Sequence, residues 1–114
     1  MRSPAGMYRN EVEVWLPSQK KDAFGSAIDD WILQYKRRAK ITPLGGGERV
    51  IADQLIPVNL VEFRMPWWDG LTASHELRWR GVRYGIDLLE NVDGLDREWR
   101  AQCTGRQESG ALSN

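Results

Sequence analysis

The 114-residue chain is poor in the side chains that most enzymes and metal proteins depend on. Cys103 is its only cysteine and His75 its only histidine. A single cysteine excludes an internal disulfide and the usual cysteine-rich zinc cages. A catalytic Cys–His pair would need these two side chains to meet, and a lone thiol and imidazole are more often structural. We therefore expect no enzymatic activity, no metal and no cofactor.

The sequence also lacks long hydrophobic runs. No stretch approaches the roughly 18 apolar residues of a membrane span, and residues 1–10 have no apolar core of the signal-peptide kind. These absences predict a protein that is made in a cytoplasm and does not contact membranes. Other candidate sites are weak: the acidic pairs Asp29 with Asp30, and Asp87 with Glu90, are more typical of solvated loops than of cation ligands.

The chain also has a formal net charge of zero, because its 16 Lys and Arg balance its 16 Asp and Glu. This balance argues against a uniformly basic nucleic-acid binder. The signs are nevertheless segregated: residues 1–40 hold eight basic and five acidic residues, residues 41–86 five and five, and residues 87–114 three and six. Such polarity suits head-to-tail contact between neighbouring subunits, and ordinary scatter of surface charge would explain it equally well.

What the chain does contain is a set of short alternating segments and six Trp. Period-2 alternation predicts strands over residues 10–16, 59–65, 76–79, 82–88 and 97–103. Residues 31–43 fit either period, and we favour a strand over 35–43. The apolar residues of these strands should form one core, namely Val61, Phe63, Met65, Leu77, Trp79, Tyr84, Ile86, Trp99 and Ala101. The predicted fold is all-β: a small antiparallel barrel or sandwich of five to six strands.

Two segments interrupt this pattern. Gly45, Gly46 and Gly47 come one after another, which predicts a long, glycine-containing and flexible loop. After them, residues 48–55 have the spacing of two helical turns, so the fold has room for one short helix.

Two further groups are candidates for contact with partners. The sequence KRRAK places Lys36, Arg38 and Lys40 on one face of a strand, where they could grip phosphates beside Tyr35, or simply be solvated. We include Arg37 in this candidate contact. Trp67 and Trp68 stand side by side in a predicted turn, so at least one of them is a candidate interface anchor.

An ordered series of motifs runs through the second half of the chain. A strand of the form apolar-x-apolar-Arg-apolar leads to a Gly-x-Thr turn, a Gly-x-x-Tyr-x-Ile hairpin, a turn with Asp and a closing strand with Arg-Glu and a late cysteine. The residues concerned are Val61, Phe63, Arg64, Met65, Gly70, Leu71, Thr72, Gly81, Tyr84, Ile86, Asp93, Arg97, Glu98, Trp99 and Cys103. In this series the chain resembles the head-tail joining (head-completion, or stopper) proteins of tailed bacteriophages and related gene transfer agents. Upstream of the series, residues 22–25, Trp31, Ala39, Pro43 and Leu44 also match the pattern of that family in the same order.

The resemblance covers about residues 10–104, which implies a tail over 1–9, one β-barrel domain over 10–104 and a flexible tail over 105–114. The chain departs from the family pattern at two places, the turn at Pro66-Trp67-Trp68 and the three consecutive glycines at residues 45–47. The resemblance implies a virion protein, made in the bacterial host cytoplasm, that sits at the neck and forms a ring of its own copies. Its partners would be the portal or adaptor ring, the tail terminator or tail tube proteins and, transiently, packaged double-stranded DNA, with no small-molecule substrate.

In the proteins that the chain resembles, the long loop after the second strand reaches the DNA channel. A gate is therefore expected in this loop, formed by Leu44, Gly45, Gly46, Gly47, Glu48, Arg49, Val50, Ile51 and Asp53. The alternative to a neck protein is a small SH3-like or OB-like barrel that binds nucleic acid through Lys36–Lys40.

Overall fold

The computed structural model of the chain describes residues 7–18, 23–24, 30–51 and 54–106, and for residues 47–51, 54–57 and 106 it describes the backbone alone. The strands are β1 (Asn10–Pro17), β2 (Trp31–Ile51), β3 (Gln54–Pro66), β4 (Glu76–Trp79), β5 (Val82–Asn91) and β6 (Glu98–Arg106). They pair antiparallel and close into a barrel in the order β1-β2-β3-β6-β5-β4. The all-β prediction is confirmed. No described helix is long and apolar enough to span a bilayer.

Alternation along each strand fills the inside of the barrel. On β1, Val12 and Val14 are fully buried, while Glu11 is exposed. The buried apolar cluster comprises Val12, Val14, Ala39, Val61, Phe63, Met65, Leu71, Leu77, Tyr84, Ala101 and Cys103. Six of the nine predicted core residues belong to this cluster. The other three, Trp79, Ile86 and Trp99, are partly buried and pack against it.

The turn between β4 and β5 is the two-residue turn that its sequence predicts. Arg80 and Gly81 both have positive φ, 54° and 78°. Two successive left-handed residues are the signature of the type I′ turn, whose twist matches that of the flanking strands. The turn therefore sets the β4–β5 register, in which Trp79 pairs with Val82.

The helix expected over residues 48–55 is absent, and that prediction is wrong. Glu48 to Ile51 belong to β2, and Gln54 and Leu55 to β3, with Val50 opposite Leu55 and Ile51 opposite Gln54. An eight-residue window with four apolar residues has no unique period. Antiparallel pairing of β2 with β3 determines the strand conformation here, because it satisfies the backbone hydrogen bonds that a helix would satisfy within itself. The expected loop is thus the end of a β-hairpin.

This hairpin runs beyond the barrel. β1 pairs with β2 only as far as Ala39, and β6 pairs with β3 only from Asn59 onward, whereas β2 and β3 pair with each other out to Ile51 and Gln54. We call the part over residues 46–58 the arm. Its β2 half should extend about 20 Å at about 3.3 Å per residue. The radius of gyration of 15.5 Å exceeds the roughly 13 Å of a compact domain of this length, and the long axis measures 50 Å, as an arm would produce.

Gly105 on β6 is required by an aromatic ring on the neighbouring strand. It pairs with Tyr84, whose ring lies where a Cβ on Gly105 would stand, only 2.3 Å from the Cε1 atom. The Tyr84 ring in turn meets Phe63 edge to face, with centroids 5.1 Å apart. A side chain at residue 105 would thus displace a ring at the centre of the core.

We expect Gly105→Ala to lower the free energy of unfolding by about 1–3 kcal/mol, the usual cost of overpacking a core. Urea denaturation measures this change. Gly85→Ala on the adjacent strand β5 is the matched control, because a Cβ there meets no atom within 4 Å. Equal losses in the two variants would mean that strand propensity, rather than the Tyr84 ring, requires the glycine.

Candidate interaction surfaces

Three cations share the outer face of β2. The side chains of Lys36, Arg38 and Lys40 are all exposed, as the alternation of a strand predicts. We call this set the basic strip. Arg37 does not point out with them: its guanidinium lies over the rings of Tyr35, at 4.9 Å, and Trp68, at 4.6 Å. Arg37 therefore packs on the aromatic cluster behind the strip.

Acidic residues on β1 reduce the field of the basic strip. In the antiparallel register, Glu13 lies opposite Lys36 and Glu11 opposite Arg38. Arg38 also donates a hydrogen bond to the carbonyl oxygen of Arg9, 3.4 Å away. The strip thus presents positive charge beside compensating carboxylates, which is weaker than the charge array that autonomous DNA binders use.

Trp67 and Trp68 form one end of the barrel. Trp67 stacks on Trp99 with centroids 6.2 Å apart, and Trp68 meets Tyr35 edge to face at 5.5 Å. Trp99 ties them together, because its indole N–H donates to the Trp68 carbonyl oxygen at 2.9 Å. Both rings are half-buried, so part of each remains accessible to a partner.

The turn after these tryptophans depends on Gly70. Its φ of +145° favours glycine, and a Cβ would stand 3.0 Å from the Tyr35 hydroxyl. Glycine therefore allows the turn to close directly over the Tyr35 and Trp68 rings.

His75 ends the loop that follows Gly70, and its side chain is buried. The Thr72 backbone N–H donates to its Nδ1 at 3.1 Å, so the ring proton is on Nε2, which donates to Gln34 Oε1 at 2.6 Å. Burial lowers the pKa of His75 from its usual 6.5. This neutral imidazole joins the loop to strand β2, which is a structural role.

The structure does not assemble a Cys–His pair. Cys103 is buried on the inner face of β6, and its thiol donates to the Ala101 carbonyl oxygen at 3.7 Å. Burial raises the pKa of the Cys103 thiol far above its usual value, so the nucleophilic thiolate does not form near neutral pH. Within the described residues no group of three or more His, Cys, Asp or Glu could hold a metal ion.

The acidic residues first considered as cation ligands have other partners. Glu90 forms an ion pair with Arg100 at 2.5 Å, and the Thr104 hydroxyl donates to Asp87. Asp30 accepts a hydrogen bond from the backbone N–H of Trp31 at 2.9 Å. Asp29 lies outside the described residues.

The root of the arm is irregular. The β2–β3 register shifts between Pro43 and Gly45, which leaves Leu44 in a β-bulge, 49% exposed. Gly45 has a φ of +114°. Bulges bend a strand and change its direction, so the glycine-rich segment sets the direction of the arm. Of the expected gate residues, Asp53 lies outside the described residues, as do the side chains of Glu48, Arg49, Val50 and Ile51.

A second charged surface was not anticipated from individual motifs. Asp87 and Glu90 on β5, with Asp93 and Asp96 in the turn after it, form what we call the acidic face. Asp87, Asp93 and Asp96 are exposed. The only signal in the sequence was the excess of acidic residues after residue 86, which carries no information on where they lie.

The sequence motifs and the barrel agree with a comparison to known families. A family model for the phage head completion protein matches residues 4–106. The chain belongs to the phage head completion protein family. This membership gives it a structural role in the head–tail region of a phage particle. No curated protein matches its sequence significantly.

For this head completion protein, His75 should make stability depend on pH. Because its pKa is lower in the folded chain, the unfolded chain binds the proton first as the pH falls below 6.5, and the free energy of unfolding decreases there. Urea midpoints measured from pH 7.5 down to about 5, above the usual range of carboxyl groups, test this. His75→Gln should flatten the dependence in that window. An unchanged slope in His75→Gln would assign the effect to other groups.

Proposed function

We propose that this chain forms a ring at the head–tail junction, between the portal or adaptor complex and the tail. In this ring the arms of neighbouring copies close the DNA channel until the tail docks. The observation that carries the proposal is the arm itself: a two-stranded extension that leaves a closed barrel at a glycine-containing bulge. A barrel alone needs no such extension for its stability.

The arm has the features of a movable barrier. Among the described residues no strand pairs with its outer backbone edges, and we propose that these edges pair with neighbouring arms. Its length of about 20 Å is comparable to the width of a DNA duplex. The bulge at Leu44 and Gly45 supplies a place where the backbone can reorient.

The charge of the arm supports the same role. Its sequence contains Glu48 and Asp53 against the single basic residue Arg49. Acidic residues repel phosphates, so a closed set of arms would resist DNA without binding it. Val50 and Ile51 supply apolar character near the tip.

The basic strip supports a second candidate function, a small barrel that binds nucleic acid. Its observation is the exposure of Lys36, Arg38 and Lys40 on one face. A titration of the isolated protein with duplex DNA at several salt concentrations separates the two functions. Measurable affinity with a steep loss on adding salt favours the nucleic-acid module.

The gate predicts a specific phenotype for a chain without its arm. Replacement of residues 48–57 by Asn-Gly joins Gly47 to Val58, which are partners in the register, through a favoured two-residue turn. The barrel residues are untouched, so folding and attachment to the filled head should persist. The particles should lose packaged DNA before tails attach, which nuclease sensitivity of the DNA measures.

The control is Arg80→Asn, which installs the same Asn-Gly turn between β4 and β5, where the backbone already has positive φ. This variant should retain DNA like the parent. If the armless protein attaches to heads and retains DNA equally well, the channel is closed by another component of the neck.

A further inference from the structure

The closed barrel places its two charged surfaces on opposite sides. In the strand order β1-β2-β3-β6-β5-β4, β2 and β5 are three positions apart in either direction around the barrel. The basic strip lies on β2, and the acidic face lies on β5 and the turn after it. The charge segregation along the sequence is thus converted into an electrostatic polarity across the molecule.

Each surface combines its charge with an exposed apolar side chain. Leu33, 39% exposed, lies opposite Trp15 in the β1–β2 register and therefore shares the outer face of β2 with the basic strip. On the acidic face, Leu88 is 50% and Leu95 54% exposed. Apolar residues within complementary charged rims are the composition of protein interfaces.

The two surfaces carry charge of opposite sign. On the acidic face, Glu90 is neutralised by Arg100, while Asp93 and Asp96 are exposed. The basic strip contributes three positive charges, which the two glutamates opposite it on β1 offset in part. Neither lysine of the strip, nor Asp93, has an ion-pair partner within 4.0 Å among the described residues.

We infer that the acidic face of one copy docks on the basic strip of the next. The occupant of each surface is therefore a second copy of this chain. Contacts of this kind use two different surfaces and repeat around a closed ring. The inference rests on the proposed ring and specifies which faces form its contacts. It also explains why the basic strip need not bind DNA, since its charge is used between subunits.

Zero-length crosslinking by carbodiimide tests the contact directly, because it joins lysine amines to carboxylates that touch. Purified particle necks, or the concentrated protein at low salt, should give crosslinks from Lys36 or Lys40 to Asp87, Asp93 or Asp96. Mixing isotopically light and heavy chains identifies the crosslinks between copies. Crosslinks between copies that map to other faces would overturn the inference while leaving the ring intact. No crosslink between copies at all would count against the ring itself.

Charge reversal supplies a compensating test. Lys36→Glu/Lys40→Glu makes both faces acidic, and Leu88→Lys/Asp93→Lys/Leu95→Lys makes the opposite face basic. Lys36→Glu/Lys40→Glu also removes the amines that crosslink, so both variants are compared by self-association in sedimentation experiments. Each variant alone should lose self-association at least about tenfold, because like charges would meet. A one-to-one mixture of the two should recover it, since each acidic strip then faces a basic partner, and Lys36 or Lys40 of one variant should crosslink to the acidic face of the other. Recovery in the mixture cannot come from misfolded chains.

Arg80→Asp is the control for charge change alone, because it alters the β4–β5 turn and neither docking surface. It should crosslink like the parent. The inference fails if both reversal variants also self-associate like the parent, or if their mixture recovers nothing while each variant retains the parent's thermal melting temperature. It also fails if Lys36→Glu/Lys40→Glu loses only salt-sensitive binding to duplex DNA, which would assign the strip to DNA.

Discussion

Closure of the barrel between β1 and β4 is the constraint on which the other features depend. The two strands pair over only three residue pairs, centred on Val14 and Leu77, both fully buried. Outside the barrel, the Arg78 guanidinium lies 4.0 Å from the centroid of the Trp15 ring and covers the seam. Without this short pairing the sheet would be open, its core would be exposed on one side, and β2 and β5 would have no fixed relation to each other.

The arm results from a mismatch in strand length. β2 and β3 are longer than the described strands that flank them, so within the described part of the chain their far ends pair only with each other. Such a two-stranded ribbon has no hydrophobic layer of the barrel packed against it. Its stability therefore depends on the pairing of its own two strands, and its direction depends on the bulge at Gly45.

Neutral net charge conceals an organised surface. Ion pairs occupy much of the outer sheet: Glu62 accepts from Arg64 at 3.1 Å, and Glu76 pairs with both Arg78 and Arg83. Glu76 is buried between its two arginines, which satisfy its charge. These pairs cancel charge on β3, β4 and β5, whereas the exposed charges of the basic strip and of the acidic face lie outside them.

The sequence by itself determined five of the six strands of the barrel, the β4–β5 turn and most of the core, because alternation and an Arg80-Gly81 turn are local signals that need no partner. Residues 31–43 fitted either period, and a strand was only favoured there. The sequence also carried the motifs of the head completion family. It did not determine residues 48–55, where a short window of mixed polarity fits a helix or a strand and only the register between β2 and β3 decides. Nor could it place the charges: residues 36 and 93 lie on opposite sides only because the barrel closes, and closure is set by pairing between strands distant in sequence.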